Sequence, residues 1–203
     1  DCGEIDCFNP PEGSTPEEVK EFKRQLKEQQ DAINKISPDQ LVKNMENYEN
    51  IGRGAKDAVD RSNARNRWLD NRKADLLDAD ASLTESAAEA MARNEMKTMD
   101  VIHTPDLSAG GTGAFSRENG GLASRSANRS IGSQWSKSGA NPDGKTRLEQ
   151  LKEHAEKAKG KGEKSNAQLK LCDEGGGPKP NDTKSGGSSS PNPGQGKSSA
   201  PMS

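Results

Sequence analysis

Large apolar residues are scarce in this chain. Of its 203 residues only 28% are hydrophobic and six are aromatic, well under the share of an ordinary globular protein. The deficit is uneven: nearly all the bulky apolar residues lie between Ile5 and Leu171, and after Cys172 only Ala200 and Met202 are apolar. A core can form before Cys172, whereas the Gly-, Ser-, Pro- and Lys-rich stretch 173–203 predicts a disordered tail. No run approaches the roughly 18 apolar residues needed to cross a bilayer, and no charged-then-apolar signal peptide opens the chain. Neither a membrane protein nor a substrate of the general secretory route is expected. A start at Asp1 rather than Met suggests a piece of something longer.

An excess of positive charge is missing too. Thirty Lys and Arg face 32 Asp and Glu, so a nucleic acid would have to be held by a local patch. Arg53, Arg61, Arg65, Arg67, Arg72, Arg117, Arg125 and Arg129 are the candidates, each of which also reads as part of a solvated face. Cysteines number three, Cys2, Cys7 and Cys172, with no Cys-x-x-Cys pair, which argues against a zinc site or a disulfide framework. Cys7 and Cys172 bracket the expected domain and could meet, but buried free thiols in a reducing compartment are the expectation.

What the chain does have is helix signals. Thr15-Pro16-Glu17-Glu18 is a capping box with Pro at the first helical position, followed by Val19, Phe22, Leu26, Ile33 and Ile36 along one face. Ser37-Pro38-Asp39-Gln40 opens a second helix, with Leu41, Met45 and Tyr48 on one face, which Gly52-Arg53-Gly54 ends. Lys56 to Asp78 reads as one helix or two joined near Asn71. Ser82-Leu83-Thr84-Glu85 starts another, whose small and Met-rich face runs into Val101, Ile102 and His103; Pro105 disfavours helix at Thr104, so an end at the histidine is expected. Ser108 to Gly144 reads as a long Gly- and Ser-rich loop, of the kind that is usually functional. Lys145 to Lys159 is helical again, and Ala167 to Cys172 is a short strand or extended closing segment. The expected fold is mainly α: an extended segment 1–14, one helical domain over 15–172 with a single core and a long active-site loop, and the tail 173–203.

Only two histidines are present. His154 lies mid-helix among Lys152, Glu153 and Glu156 and is expected to be solvated. His103 is followed by Thr-Pro-Asp and then by Leu-Ser-Ala-Gly-Gly, a His-x-x-Asp pattern that by itself also describes a hydrogen-bonded structural histidine. Three further blocks accompany it: Cys7-Phe8-Asn9-Pro10-Pro11, Gln25 to Ser37, and Asn128-Arg129-Ser130-Ile131-Gly132-Ser133-Gln134-Trp135. With them the chain, from about Cys7 to Cys172, resembles the polymorphic-toxin type 15 family. The resemblance implies a DNase of interbacterial competition. It also implies secretion by the producing bacterium through type VI or a related contact-dependent system, an upstream delivery protein, action in the target-cell cytoplasm, and neutralisation by a cognate immunity protein.

Phosphodiester cleavage needs a base to activate water, help for the phosphate and stabilisation of developing charge. His103 suits the first, since imidazole titrates near neutral pH. Asp106 either holds a Mg²⁺ that keeps several waters and bridges to phosphate oxygens, or orients the imidazole without a metal. Gly110, Gly111 and Gly113 permit a turn whose N–H groups converge on an anion, or simply a flexible loop. Asn128, Arg129, Ser130 and Gln134 are candidate contacts to phosphate or sugar, and Trp135 reads as a core anchor rather than a stacking platform. The same groups serve an RNase or a nucleotide-degrading toxin, and a non-enzymatic helical adaptor is the rival from another class.

Overall fold

The structure, a computed structural model, describes residues 3–172. The expected tail and the third cysteine, Cys2, lie outside the described residues. Six α-helices carry the fold: α1 (Pro16–Ile33), α2 (Pro38–Ile51), α3 (Ala55–Ala79), α4 (Glu85–Met96), α5 (Arg125–Trp135) and α6 (Arg147–Lys161). They are accompanied by four short strands, β1 (Gly3–Glu4), β2 (Met99–Val101), β3 (Leu122–Ser124) and β4 (Ala167–Gln168). The mainly α fold is as the sequence indicates. The Thr15–Glu18 box caps α1 reciprocally, Ser37 and Thr84 cap α2 and α4, and a second box, Thr146 with Glu149, caps α6. The stretch from Ala55 is one uninterrupted helix.

The apolar residues collect in two clusters rather than one. The larger joins Phe22, Leu26 and Ile33 of α1, Leu41 and Met45 of α2, Ile131 and Trp135 of α5 and Leu151 of α6 with Ile5, Phe8 and Leu171 from the two ends of the described chain. The smaller joins Trp68, Leu69 and Leu76 of α3 with Ala88 and Ala92 of α4, Val101 and Leu122. Segment 1–14 is thus partly core: Phe8 is fully buried edge-on to Trp135, at 5.0 Å between ring centres, so Trp135 is the anchor expected of it.

The ends meet because β1 runs parallel to β4, and the pairing continues as a Phe8–Leu171 bridge with Cys172 N donating to Phe8 O at 3.1 Å. That register brings Cys7 and Cys172 together as a disulfide, with Cα atoms 4.7 Å apart, and corrects the expectation of free thiols. Two further expectations fail. The fourth helix stops at Met96 instead of reaching His103, because the chain turns there into β2, which pairs antiparallel with β3. The long loop also contains structure: a 3₁₀ turn (Glu118–Gly121), β3 and α5. Ser, Asn and Gly give α5 little intrinsic propensity, and it is held by burying Ala127, Ile131 and Trp135, spaced four apart.

Candidate active site

His103 sits at the seam of the two clusters, at the far end of the β2–β3 ladder. Beyond Val101–Leu122 the pairing runs on through Ile102 N to Gly121 O (2.9 Å), Ser116 N to Ile102 O (2.8 Å) and a His103–Phe115 bridge. The imidazole is buried edge-on to Phe115, 5.1 Å between ring centres. From the other side a buried glutamine of α1 fixes the turn: Gln29 Nε2 donates to His103 O at 2.8 Å, and Asp106 N donates to Gln29 Oε1 at 2.5 Å. One side chain thereby holds both ends of His-x-x-Asp, whose Thr104–Pro105 peptide is cis.

The glycines that follow are needed for close approach. A Cβ on Gly111 would lie 2.1 Å from Pro105 O, and the Gly111 N–H is already donated to Asp106 O at 2.9 Å. Gly110 O accepts from Asn44 Nδ2 at 3.0 Å, which ties the turn to α2. This is a packed turn, and the Gly111 amide is not available to an anion.

The partner of the imidazole is Asp57, on the first turn of α3. Its Oδ1 lies 2.6 Å from His103 Nε2, while its Oδ2 accepts from Arg61 Nε at 2.8 Å and Arg53 Nη1 at 3.2 Å. Burial pushes the Asp57 carboxyl up, but the hydrogen bonds from His103 and Arg61 outweigh it and hold the group below its ordinary value, so it is ionised at neutral pH. For His103, burial dominates and lowers the pKa below 6.5, opposed by Asp57 and assisted by Arg53. The ring is therefore neutral at pH 7. An ionised carboxylate only accepts, so the proton of the neutral ring resides on Nε2 and Nδ1 carries the lone pair. Nδ1 has no hydrogen-bond partner among the described residues.

His103 lines a cavity of about 370 Å³ with Asp106, Arg53, Arg61, Arg65 and Arg129. Asp57, Arg61 and Arg65 share one helical face at steps of four. Asp100 of β2 organises the opposite wall, accepting from Arg129 Nε at 2.9 Å and Arg125 Nε at 3.1 Å, with Arg65 Nη2 at 3.7 Å. Five guanidiniums thus stand around three carboxylates, Asp57, Asp100 and Asp106, and the region is cationic although the whole chain has a formal charge of −2. Asp106 uses Oδ1 to accept from Ser108 N and Oγ, at 2.9 and 2.7 Å, and no hydrogen bond joins it to the imidazole. Its Oδ2 has no hydrogen-bond partner among the described residues and lies 3.5 Å from where a Gly132 Cβ would stand.

Of the residues singled out in the sequence, His103, Asp106, Asn128 and Arg129 meet at this cavity, together with Arg53, Arg61 and Arg65 from among the candidate arginines. Ser130 and Gln134 do not line it. They occupy another face of α5, where Gln134 Nε2 donates to Asn9 O and its Oε1 accepts from Asn9 N, both at 2.8 Å, and Ser130 Oγ donates to Asn9 O at 3.3 Å. Gly111 lines an adjoining cavity instead. Arg72 is paired with Glu95 at 2.7 Å, away from the site. His154 is half-buried with Nε2 enclosed and unpartnered, not solvated as expected. Sequence reasoning passed over Asp57, Asp100 and Gln29. The visible signal for Asp57 was an aspartate flanked by Arg53 and Arg61, each four residues away.

No group of three or more His, Cys, Asp and Glu residues among those described is arranged to hold a metal. Asp106 Oδ2, which accepts no hydrogen bond from the described residues, is the carboxylate oxygen of this cavity that could hold a Mg²⁺ as a single protein ligand. The profile of the Novel toxin 15 family matches residues 16–172. No curated protein matches the chain.

Proposed function

The chain belongs to the Novel toxin 15 family, and from that premise we propose that it is an antibacterial toxin whose His103 cavity hydrolyses the phosphodiester bonds of DNA. The observation that carries this reading is a buried, neutral imidazole, bound through Nε2 to an ionised aspartate and lining a cavity walled by arginines.

His103 Nδ1 takes a proton from a water as its oxygen bonds to phosphorus, the P–O bond to the leaving group breaks, and solvent returns a proton to the leaving oxygen. Asp57 keeps Nε2–H in place and stabilises the imidazolium that forms. Arg53, Arg61, Arg65 and Arg129 bind the phosphate and offset the charge that builds on it, with Asn128 as a further donor from α5. Asp106 Oδ2 would hold a Mg²⁺ against the phosphate, and that ion, when bound, neutralises charge and lowers the pKa of water. In this reading the toxin leaves the producing cell by a contact-dependent system, attached to a delivery protein, and acts in the target-cell cytoplasm; a cognate immunity protein guards the producer.

The test is incubation of the purified chain with plasmid DNA and, in parallel, with structured RNA, each with Mg²⁺ and with EDTA. DNA loss that EDTA abolishes is expected. RNA cleavage with intact plasmid moves the substrate to RNA, and intact plasmid and RNA in all conditions refute the enzymatic reading.

A further inference from the structure

A second cavity, also about 370 Å³, adjoins the first and shares Arg53 with it; Asp57, the partner of His103, lines this second cavity. Its size is within the range of small-ligand sites, about 300–1,000 Å³. One wall is the C-terminal half of α2, with Asn47 and Tyr48; the facing wall is Leu107 and the turn Gly111-Thr112-Gly113. This is where the Gly-rich loop goes, which the catalytic cavity leaves unused.

The lining differs from that of the first cavity in a way that selects a ligand. The charges here are Arg53, Lys56, Asp57 and Asp60, formally balanced, and Asp57 and Asp60 are already paired with Arg53 and Lys56. A second phosphate gains nothing from such a site. Leu107 and the ring of Tyr48 supply apolar surface, and Tyr48 is the chain's only tyrosine. The Tyr48 hydroxyl, the Asn47 amide and the Thr112 hydroxyl make no hydrogen bond to any described residue. An uncharged planar group with polar edges matches this lining. At Gly113 a Cβ would meet nothing within 4 Å, so the wall there is open rather than packed.

We propose that this cavity is a nucleobase subsite: the base next to the scissile phosphate stacks on Tyr48, its edge meets Asn47 and Thr112, and Arg53 contacts the phosphate between the two cavities. The assignment rests on the phosphodiesterase reading and adds to it a nucleoside, rather than a bare phosphodiester, as what the toxin holds. Stacking of this kind tolerates any base, so the subsite would hold the strand without reading its sequence.

Two readouts decide it. In a His103→Ala background, binding of a fluorescein-labelled single-stranded oligodeoxynucleotide is followed by anisotropy for the parent, Tyr48→Ala and Tyr48→Trp. Base–aromatic stacking contributes about 1–3 kcal/mol per base, so Tyr48→Ala is expected to weaken binding about 5- to 150-fold, and Tyr48→Trp to retain it. Separately, in the same His103→Ala background, an oligodeoxynucleotide of abasic (tetrahydrofuran) residues keeps the phosphates but offers no base, so Tyr48→Ala is expected to bind it as weakly as the parent does. Absence of binding by the parent, binding of the base-bearing strand by Tyr48→Ala within twofold of the parent, or an equal loss on the base-bearing and abasic strands overturns the subsite. Failure of the wild type to cleave any diester refutes the phosphodiesterase reading instead, and the anisotropy comparison still decides the cavity.

Discussion

Asp57→Asn removes the carboxylate that, among the described residues, is hydrogen-bonded to the imidazole, while keeping its shape. In the structure Asp57 Oδ1 accepts from His103 Nε2 at 2.6 Å, and the same group carries Arg53 and Arg61. Two effects follow. A hydrogen bond to a charged group contributes about 1.5–3 kcal/mol, and here the carboxylate matters most once the ring has become imidazolium. Losing it from the transition state lowers kcat about 10- to 150-fold. An Asn amide can also donate to Nε2, which favours the tautomer with its proton on Nδ1, the nitrogen that must be free, and deepens the loss. The second effect is on pH. His103 already titrates below 6.5 because it is buried, and Asp57 opposes that shift. Without Asp57 the pKa falls further, so the acid limb of the pH–rate profile, along which activity rises as His103 loses its proton, moves to lower pH while the plateau drops. Initial rates of supercoiled plasmid relaxation between pH 4.5 and 8, with circular dichroism to confirm the fold, measure both. A folded variant with a wild-type plateau, or with an acid limb moved to higher pH, refutes Asp57 as the residue that positions and charges the base.

Three other perturbations probe the supports of the site. Gln29→Ala strips the partner from His103 O and from Asp106 N and should cost about 2–4 kcal/mol in urea unfolding, with activity falling as the turn loosens; unchanged stability contradicts its role. Asp106→Asn, if Oδ2 holds Mg²⁺, should lose activity that excess Mg²⁺ partly restores, whereas a flat low rate at every Mg²⁺ concentration denies it the metal. Cys7→Ser should destabilise the domain by about 2–5 kcal/mol, since the bridge closes a loop with a sequence separation of 165 residues, and melting with and without reductant checks it.

Most of the helical frame was legible because it is local. Thr15 and Glu18, or Ser37 and Pro38, announce a helix start within four residues, and Phe22, Leu26 and Ile33 show its buried face. α5 was hidden because Ser, Asn and Gly mask it; the pattern that survives is Ala127, Ile131, Trp135 at steps of four, which only burial against α1 and Phe8 turns into helix. β2 reads in the sequence as the tail of α4 because a three-residue strand is shorter than any period, and its partner arrives 23 residues later. The site divides the same way. His103 and Asp106 stand in one short motif, but Asp57 reaches His103 across 46 residues and Gln29 reaches it across 74, pairings that no local pattern encodes. The disulfide was missed for this reason as well: Cys7 and Cys172 are adjacent only because β1 and β4 pair.

The central claim is that His103 is the base of a nuclease site. It is tested most directly by plasmid degradation with purified wild type and His103→Ala, each at several enzyme concentrations and with melting curves recorded on the same samples. General-base catalysis contributes about 10²- to 10⁴-fold, so the variant should be slower by at least about a hundredfold while still unfolding cooperatively. A folded His103→Ala protein that degrades plasmid at the wild-type rate contradicts the account.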